Sequence, residues 1–183
     1  MSGKLICVVG ASGVGKDSLL AGLRSALTPD DRIVIAHRYI TRAADAGGEN
    51  HIALSEAEFQ LRRNAGCFAL HWQSHGLLYG IGREIELWLA SGLSVVLNGS
   101  RGHLPSLREC YPQALVVEIT ASEWVLRERL QSRGREDAAA LDARLARHRE
   151  LPPSDADLRI ANEGPLADTV DHLLGWVRHT ADM

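Results

Sequence analysis

Continuous apolar runs alternate along this chain with stretches in which hydrophobic residues recur every three or four positions. Leu5-Ile6-Cys7-Val8-Val9 has the pattern of a buried strand; Leu19, Leu20, Leu23 and Leu27 come next at helical spacing, and Thr28-Pro29-Asp30-Asp31 ends that helix with turn chemistry. Arg32 to Ala36 predicts a second strand, which runs into the charged stretch His37 to Arg42. Ala43 to Asn50, small, polar and glycine-containing, reads as a loop. Ser55 and Glu58 have the spacing of a capping box at a helix start, and Gly66 interrupts that helix after Phe59 and Leu61. Cys67 to Gly82 is less regular, with aromatics and glycines, and predicts short strands or loops of a small insertion. Ile85, Leu87, Trp88 and Leu89 predict a short helix, and Leu93 to Leu97 a buried strand. Pro105 opens another helix that Pro112 closes, Ala114 to Thr120 is the next strand, and Ser122 can cap the helix after it. Asp157 to Ala161 predicts a last strand before a final amphipathic helix bearing Leu166, Val170, Leu173, Leu174 and Val177. Strands alternating with helices imply an α/β fold, a parallel sheet flanked by helices on both faces.

The turn after the first strand changes this from a fold prediction to a functional one. Gly10-Ala11-Ser12-Gly13-Val14-Gly15-Lys16-Asp17-Ser18 joins a strand to a helix N-terminus, which is the arrangement of a P-loop. Its glycines let backbone N–H groups converge on an anion, the helix end adds unpaired donors and positive dipole, and Lys16 supplies charge for the β- and γ-phosphates. All nine residues are therefore expected to line a nucleotide, with ATP as phosphoryl donor and Mg²⁺ beside it. The position after the lysine, where a Ser or Thr hydroxyl ordinarily meets Mg²⁺, is Asp17. Two readings of Asp17 stand: a direct or water-mediated role at Mg²⁺, or an acid favoured in the first turn of a helix.

Length and composition bound the rest. The 183 residues, 45% of them hydrophobic, suit one domain over 1–183, and a formal charge of −3 gives no support for nucleic-acid binding. No basic leader precedes the first strand and no apolar stretch reaches the length of a membrane span, so a soluble protein that does not meet a membrane is expected. The three cysteines, Cys7, Cys67 and Cys110, are odd in number and widely spaced, which fits reduced thiols and a cytoplasmic location. The sequence does not decide the oligomeric state.

Two arginine clusters give the P-loop a reaction. From about 127 to 149 the chain carries Arg127, Arg129, Arg133, Arg135, Arg144, Arg147 and Arg149, split by Gly134, as two helices meeting at a hinge would. Such a segment can close over a triphosphate as a lid, with Arg133 and Arg144 stabilising charge on the transferring phosphoryl group; alternatively Glu136, Asp137 and Asp142 make it a solvated charged face. The second cluster, His37, Arg38, Arg42 and Glu49, lies where open α/β sheets bind ligands and suggests an anionic acceptor bound over about 37–82. His71 and His75 are four apart, yet Gly76 argues against a helix and no third ligand stands at a known spacing, so a metal there is disfavoured.

The whole chain resembles the guanylate-kinase-like branch of the nucleoside monophosphate kinases. Ile40-Thr41-Arg42, Gly48-Glu49, Ser55 to Phe59, Gly66-Cys67-Phe68, Tyr79-Gly80 and the arginine lid recur in that order. The resemblance implies that Arg38, Arg42, Glu49, His51, Tyr79 and Arg101 bind the acceptor and that Asn162 lies near the adenine. Its departures are informative. Asp45 or a neighbour stands where guanylate kinases carry a second acceptor-phosphate arginine, His51 where they carry a tyrosine, and Leu70 where they carry the glutamate that reads guanine. Asn98 or Ser100 falls where an aspartate is usual. With Gly-Lys-Asp-Ser and Leu97-Asn98-Gly99-Ser100-Arg101, these departures resemble the kinases of phosphonate degradation that act on a sugar phosphate. That resemblance implies ATP-dependent phosphorylation of ribose 1,5-bisphosphate on its 1-phosphate. Competing expectations are an ordinary nucleoside monophosphate kinase, which the missing guanine-reading carboxylate disfavours, and a non-catalytic guanylate-kinase-like binding module, which Gly15-Lys16 and the arginines disfavour.

Overall fold

The computed structural model describes residues 3–46, 48–132 and 154–183. Five strands, β1 (Leu5–Gly10), β2 (Ile33–Ile35), β7 (Ser94–Asn98), β8 (Leu115–Thr120) and β9 (Leu158–Ala161), form one parallel sheet in the order β2-β7-β1-β8-β9. Both faces are covered. Ile6 and Val8 of β1, with Val96, Val117, Ile119 and Ile160, pack on α1 (Lys16–Ala26) and α6 (Leu166–Asp182). Leu5, Cys7 and Val9 point to the opposite face, where Ile85 of α3 (Glu84–Ala90) and Leu107 of α4 (Leu104–Cys110) meet them. The strand sequences look apolar throughout because successive residues serve two separate cores.

The expected irregular insertion is a second sheet. β5 (Phe68–Ser74) and β6 (Leu77–Gly82) form an antiparallel hairpin; His75 (φ 49°) and Gly76 (φ 73°) make its two-residue turn, the left-handed geometry that matches strand twist. β3 (Arg38–Ile40) pairs antiparallel with β6, and β4 (Ile52–Ala53) completes the order β4-β3-β6-β5. The charged stretch after β2 is thus a strand in its own right, whereas its sequence suggested only the end of one. Leu70 and Ile81 join the second core below β1 and β7, so the second sheet is seated on the main one. α2 (Glu56–Asn64) begins where expected, with the Ser55 hydroxyl accepting the Glu58 N–H at 3.1 Å, and buries Phe59 against Phe68. α5 (Glu123–Ser132) comes after β8.

α6 holds the first core closed with Val170, Leu173, Leu174 and Val177, and Arg178 reaches back to Asp31 through a two-pronged pair of 2.5 and 3.0 Å. The guanidinium holds the Asp31 carboxyl well below its usual range, ahead of the Thr28 capping bonds. This contribution is present above the ordinary carboxylate pKa and is lost as pH falls toward the depressed one. Leu173 is fully buried between α6, α1 and the sheet. Leu173→Ala is expected to lower unfolding free energy by about 2–5 kcal/mol, read from urea denaturation followed by circular dichroism.

Candidate active site

Parallel strands end on one edge, and there the P-loop, the end of β7 and the second sheet meet. Gly13 (φ 86°) and Gly15 (φ 97°) take backbone conformations that L side chains avoid. A Cβ on Gly15 would lie 2.7 Å from the Asn162 amide nitrogen, so the loop also requires glycine for space. Lys16 folds back over this loop, its Nζ donating to the carbonyls of Gly10 (2.8 Å) and Ala11 (3.2 Å). Burial, reinforced by Arg38 and Arg101 and opposed by Asp17 and Glu49, pushes the Lys16 ammonium down to about 8.

On the acceptor side, Arg38 of β3 makes a two-pronged pair with Glu49, one bond at 2.8 Å, and lies 5.0 Å above the Tyr79 ring and 4.0 Å from Asp17. Arg42 lies 3.8 Å from the same Glu49, and its Nη2 is 3.3 Å from His51 Nδ1. Its buried Nε has no hydrogen-bond partner among the described residues. His51 is buried; its ring nitrogens reach the carbonyls of Glu49 and Arg42 at 3.1 Å each, so this side chain fastens the loop that carries both charges. Tyr79 stacks on Trp72 at 5.4 Å, and Trp72 on His103. Leu70 is buried and lines a small hollow with Cys7, Trp72, Leu97, His103 and Leu107.

Arg101 is placed differently. It comes just after β7 and lies 3.7 Å from Glu118, a carboxylate buried in the middle of β8. Glu118 also accepts from Ser154 Oγ (2.7 Å) and Arg159 Nε (3.1 Å). Burial lowers the Arg101 pKa, and Glu118 opposes that fall.

Asn162, 2% exposed, donates to the Val14 carbonyl at 2.8 Å and accepts from Thr169 at 3.1 Å. Its carboxamide is turned onto the P-loop backbone, and Arg129 of α5 reaches the same Val14 carbonyl at 3.2 Å. Bracing the loop is the role this geometry supports for Asn162. Sequence reading counted Arg129 among the arginines of the lid segment and gave Glu118 no task, although a lone glutamate inside the apolar run of β8 was a visible signal. Arg133 and Arg144 lie outside the described residues.

A divalent cation requires hard oxygen donors, and when shared with phosphates it needs few protein ligands. No group of three or more His, Cys, Asp and Glu side chains gathers to hold a metal among the described residues. Asp17 and Asn98 nonetheless fit such a shared site: Asn98 Nδ2 donates to Asp17 Oδ1 at 2.8 Å, while Asn98 Oδ1 is buried and accepts no bond among the described residues.

The guanylate kinase family model matches residues 2–179. A Desulfomicrobium baculatum protein named ribose 1,5-bisphosphate phosphokinase PhnN is 56% identical over 178 residues, covering 97% of this chain and 95% of its own. A Chromobacterium violaceum protein of the same name is 49% identical, with the same shares covered. Among solved structures, guanylate kinase from Anaplasma phagocytophilum matches all of this chain and 88% of its own with a TM-score of 0.75 at 21% identity, a likeness of fold.

The lowered Lys16 pKa gives a pH dependence of defined sign. Bound phosphates favour the ammonium, so nucleotide binding draws a proton onto Lys16 above about pH 8 and none well below it. Calorimetric titration with ADP in two buffers of different ionisation enthalpy should show uptake of up to about one proton near pH 9 and close to none near pH 6.5. Lys16→Ala should abolish the uptake.

Proposed function

This chain belongs to the guanylate kinase family, and from that premise we infer that it transfers the γ-phosphoryl group of ATP to the 1-phosphate of ribose 1,5-bisphosphate. The products are 5-phosphoribosyl 1-diphosphate and ADP. The carrying observation is that two arginines, Arg38 and Arg42, converge on Glu49 beside the P-loop. Arg42 keeps a buried Nε with no partner among the described residues, and Arg38 is held by Glu49 beside the P-loop. A buried, unsatisfied guanidinium donor favours a phosphate oxygen, and Leu70 supplies no carboxylate to accept from the N1–H and 2-amino group of guanine. The relatives' shared name supports the same acceptor.

The acceptor is already a nucleophile. A phosphate monoester has its second pKa near about 6, so an acceptor oxygen can attack the γ-phosphorus without a strong general base while the bond to the β-γ bridging oxygen breaks and ADP leaves with that electron pair. The protein's task is alignment and charge. Lys16 and the P-loop N–H groups hold the donor phosphates, Arg38 and Arg42 hold the acceptor, and Tyr79 supports Arg38 from below. Mg²⁺, when bound with the nucleotide, neutralises phosphate oxygens, and Asp17 and Asn98 are the residues that would hold it. Arg133 and Arg144 complete the charge as lid residues, and Arg101, held by the buried Glu118, adds a cation near Lys16.

The region 37–82 acts as the acceptor part and 127–149 as the lid of one kinase domain. The free thiols of Cys67 and Cys110 are exposed, which suits a reducing cytoplasm. Among the described residues no helix is long and apolar enough to cross a membrane.

With Mg-ATP and a panel of acceptors followed by phosphorus NMR, ribose 1,5-bisphosphate should give a diphosphate product far faster than GMP, AMP or ribose 5-phosphate. GMP as the best acceptor would overturn the assignment. Arg42→Ala should raise the acceptor KM by about tenfold or more and leave the ATP KM nearly unchanged, because the change removes a charge-assisted contact worth about 1.5–3 kcal/mol. Arg133→Ala and Arg144→Ala should lower kcat more than ATP affinity, with Lys a poor replacement for the planar fork.

A further inference from the structure

P-loop enzymes commonly divide their cation site between a hydroxyl on the loop and a carboxylate at the end of a neighbouring strand. Here both positions are altered together. The residue after Lys16 is Asp17, and the polar residue closing β7, the strand beside β1, is Asn98. Asn98 lies level with Val8, just below the loop, and is 3% exposed. Its Nδ2 donates to Asp17 Oδ1 at 2.8 Å and lies 3.4 Å from Glu49 Oε2. The other end of the same carboxamide, Oδ1, is buried and has no partner among the described residues. A carboxamide buried to this extent with an unused acceptor, one bond away from the loop carboxylate, points to a ligand that takes oxygen donors.

We propose that this protein holds the divalent cation of its nucleotide with the carboxylate moved from the strand onto the P-loop: Asp17 supplies the charge and Asn98 Oδ1 the neutral oxygen. The inference rests on the nucleotide-site reading above and deepens it by giving the two side chains distinct parts, the charge to Asp17 and the neutral oxygen to Asn98. Charge explains the exchange. Glu49 is needed at the same spot to hold Arg38 and to approach Arg42. A carboxylate at position 98 would stand beside both Asp17 and Glu49 and would remove the N–H donor that now reaches toward both. An amide can serve two carboxylates with its nitrogen and still offer its oxygen to a cation. Asn98 thereby joins the donor side to the acceptor side, which a strand aspartate facing Glu49 could not do.

The test exchanges the two side chains. Mn²⁺ serves as the probe ion, and its binding to the complex of the full chain with ADP is measured by water-proton relaxation or electron paramagnetic resonance. ADP binding in EDTA and the melting temperature are recorded for each variant. Asp17→Asn, close in shape, should weaken Mn²⁺ binding by about tenfold or more while ADP binding in EDTA is retained. Asp17→Asn combined with Asn98→Asp returns the carboxylate on the opposite side of the same hydrogen bond. It should bind Mn²⁺ about threefold or more tighter than Asp17→Asn and remain short of the wild type, because Glu49 stands beside position 98. Wild-type Mn²⁺ affinity in Asp17→Asn, or an exchanged protein that folds and binds ADP yet holds Mn²⁺ no better than Asp17→Asn, would overturn the proposal and leave the nucleotide site standing. Absence of ADP binding by the wild type would instead remove the nucleotide-site reading, and this proposal with it.

Discussion

Lys16, Arg38, Arg42 and Arg101 bring four cationic side chains to one partly buried edge, and like charges at such a place repel unless anions are set between them. At about 4 Å and an effective dielectric near 20, a pair of unit charges interacts by about 4 kcal/mol, so the arrangement must be neutralised to be ordered. Asp17, Glu49 and Glu118 do this. Each arginine is consequently held in one orientation, its side-chain entropy already lost in the pairing. Lys16 is held differently. Its ammonium donates to loop carbonyls rather than to a carboxylate, and burial lowers its proton affinity.

Strand direction is what allows those charges to come from distant parts of the chain. β1, β7 and β8 run parallel, so their carboxyl ends deliver the P-loop, Asn98 and the Glu118 region to one edge. The second sheet then reaches that edge through β3, whose first residue is Arg38. Its hold on the main sheet is hydrophobic, through Leu70 and Ile81, while its alignment with the P-loop is electrostatic, through Arg38, Glu49 and Asn98. Packing sets the distance between donor and acceptor sides, and the charged network sets the orientation across it.

Much of this was legible in the sequence because it repeats a physical pattern. The P-loop, the buried strands, the Ser55 cap and the final helix each arise from spacing and from residues that can do only a few things locally. The second sheet was legible only as short strands or loops, since its strands have mixed polarity and one of them is two residues long. Nor could periodicity reveal the parts played by Asn98, Asn162 and Glu118. Each is a polar group whose meaning lies in a partner 36 to 148 positions away. His51 and Asn162 show the converse: resemblance assigned them to ligands, while their nearest partners are backbone carbonyls of the loops that carry other site residues.

The change of acceptor from a nucleotide base to a sugar needs little alteration of this frame. Base recognition adds a polar requirement to a buried surface, and an unpaired donor or acceptor there costs about 1–3 kcal/mol per group. Leu70 at that surface carries no such requirement, and Trp72 stacks there between Tyr79 and His103. The two features are separate in this fold: the hollow under Trp72 lies among apolar side chains between the sheets, and the network through Asn98 links Asp17 of the P-loop to Glu49.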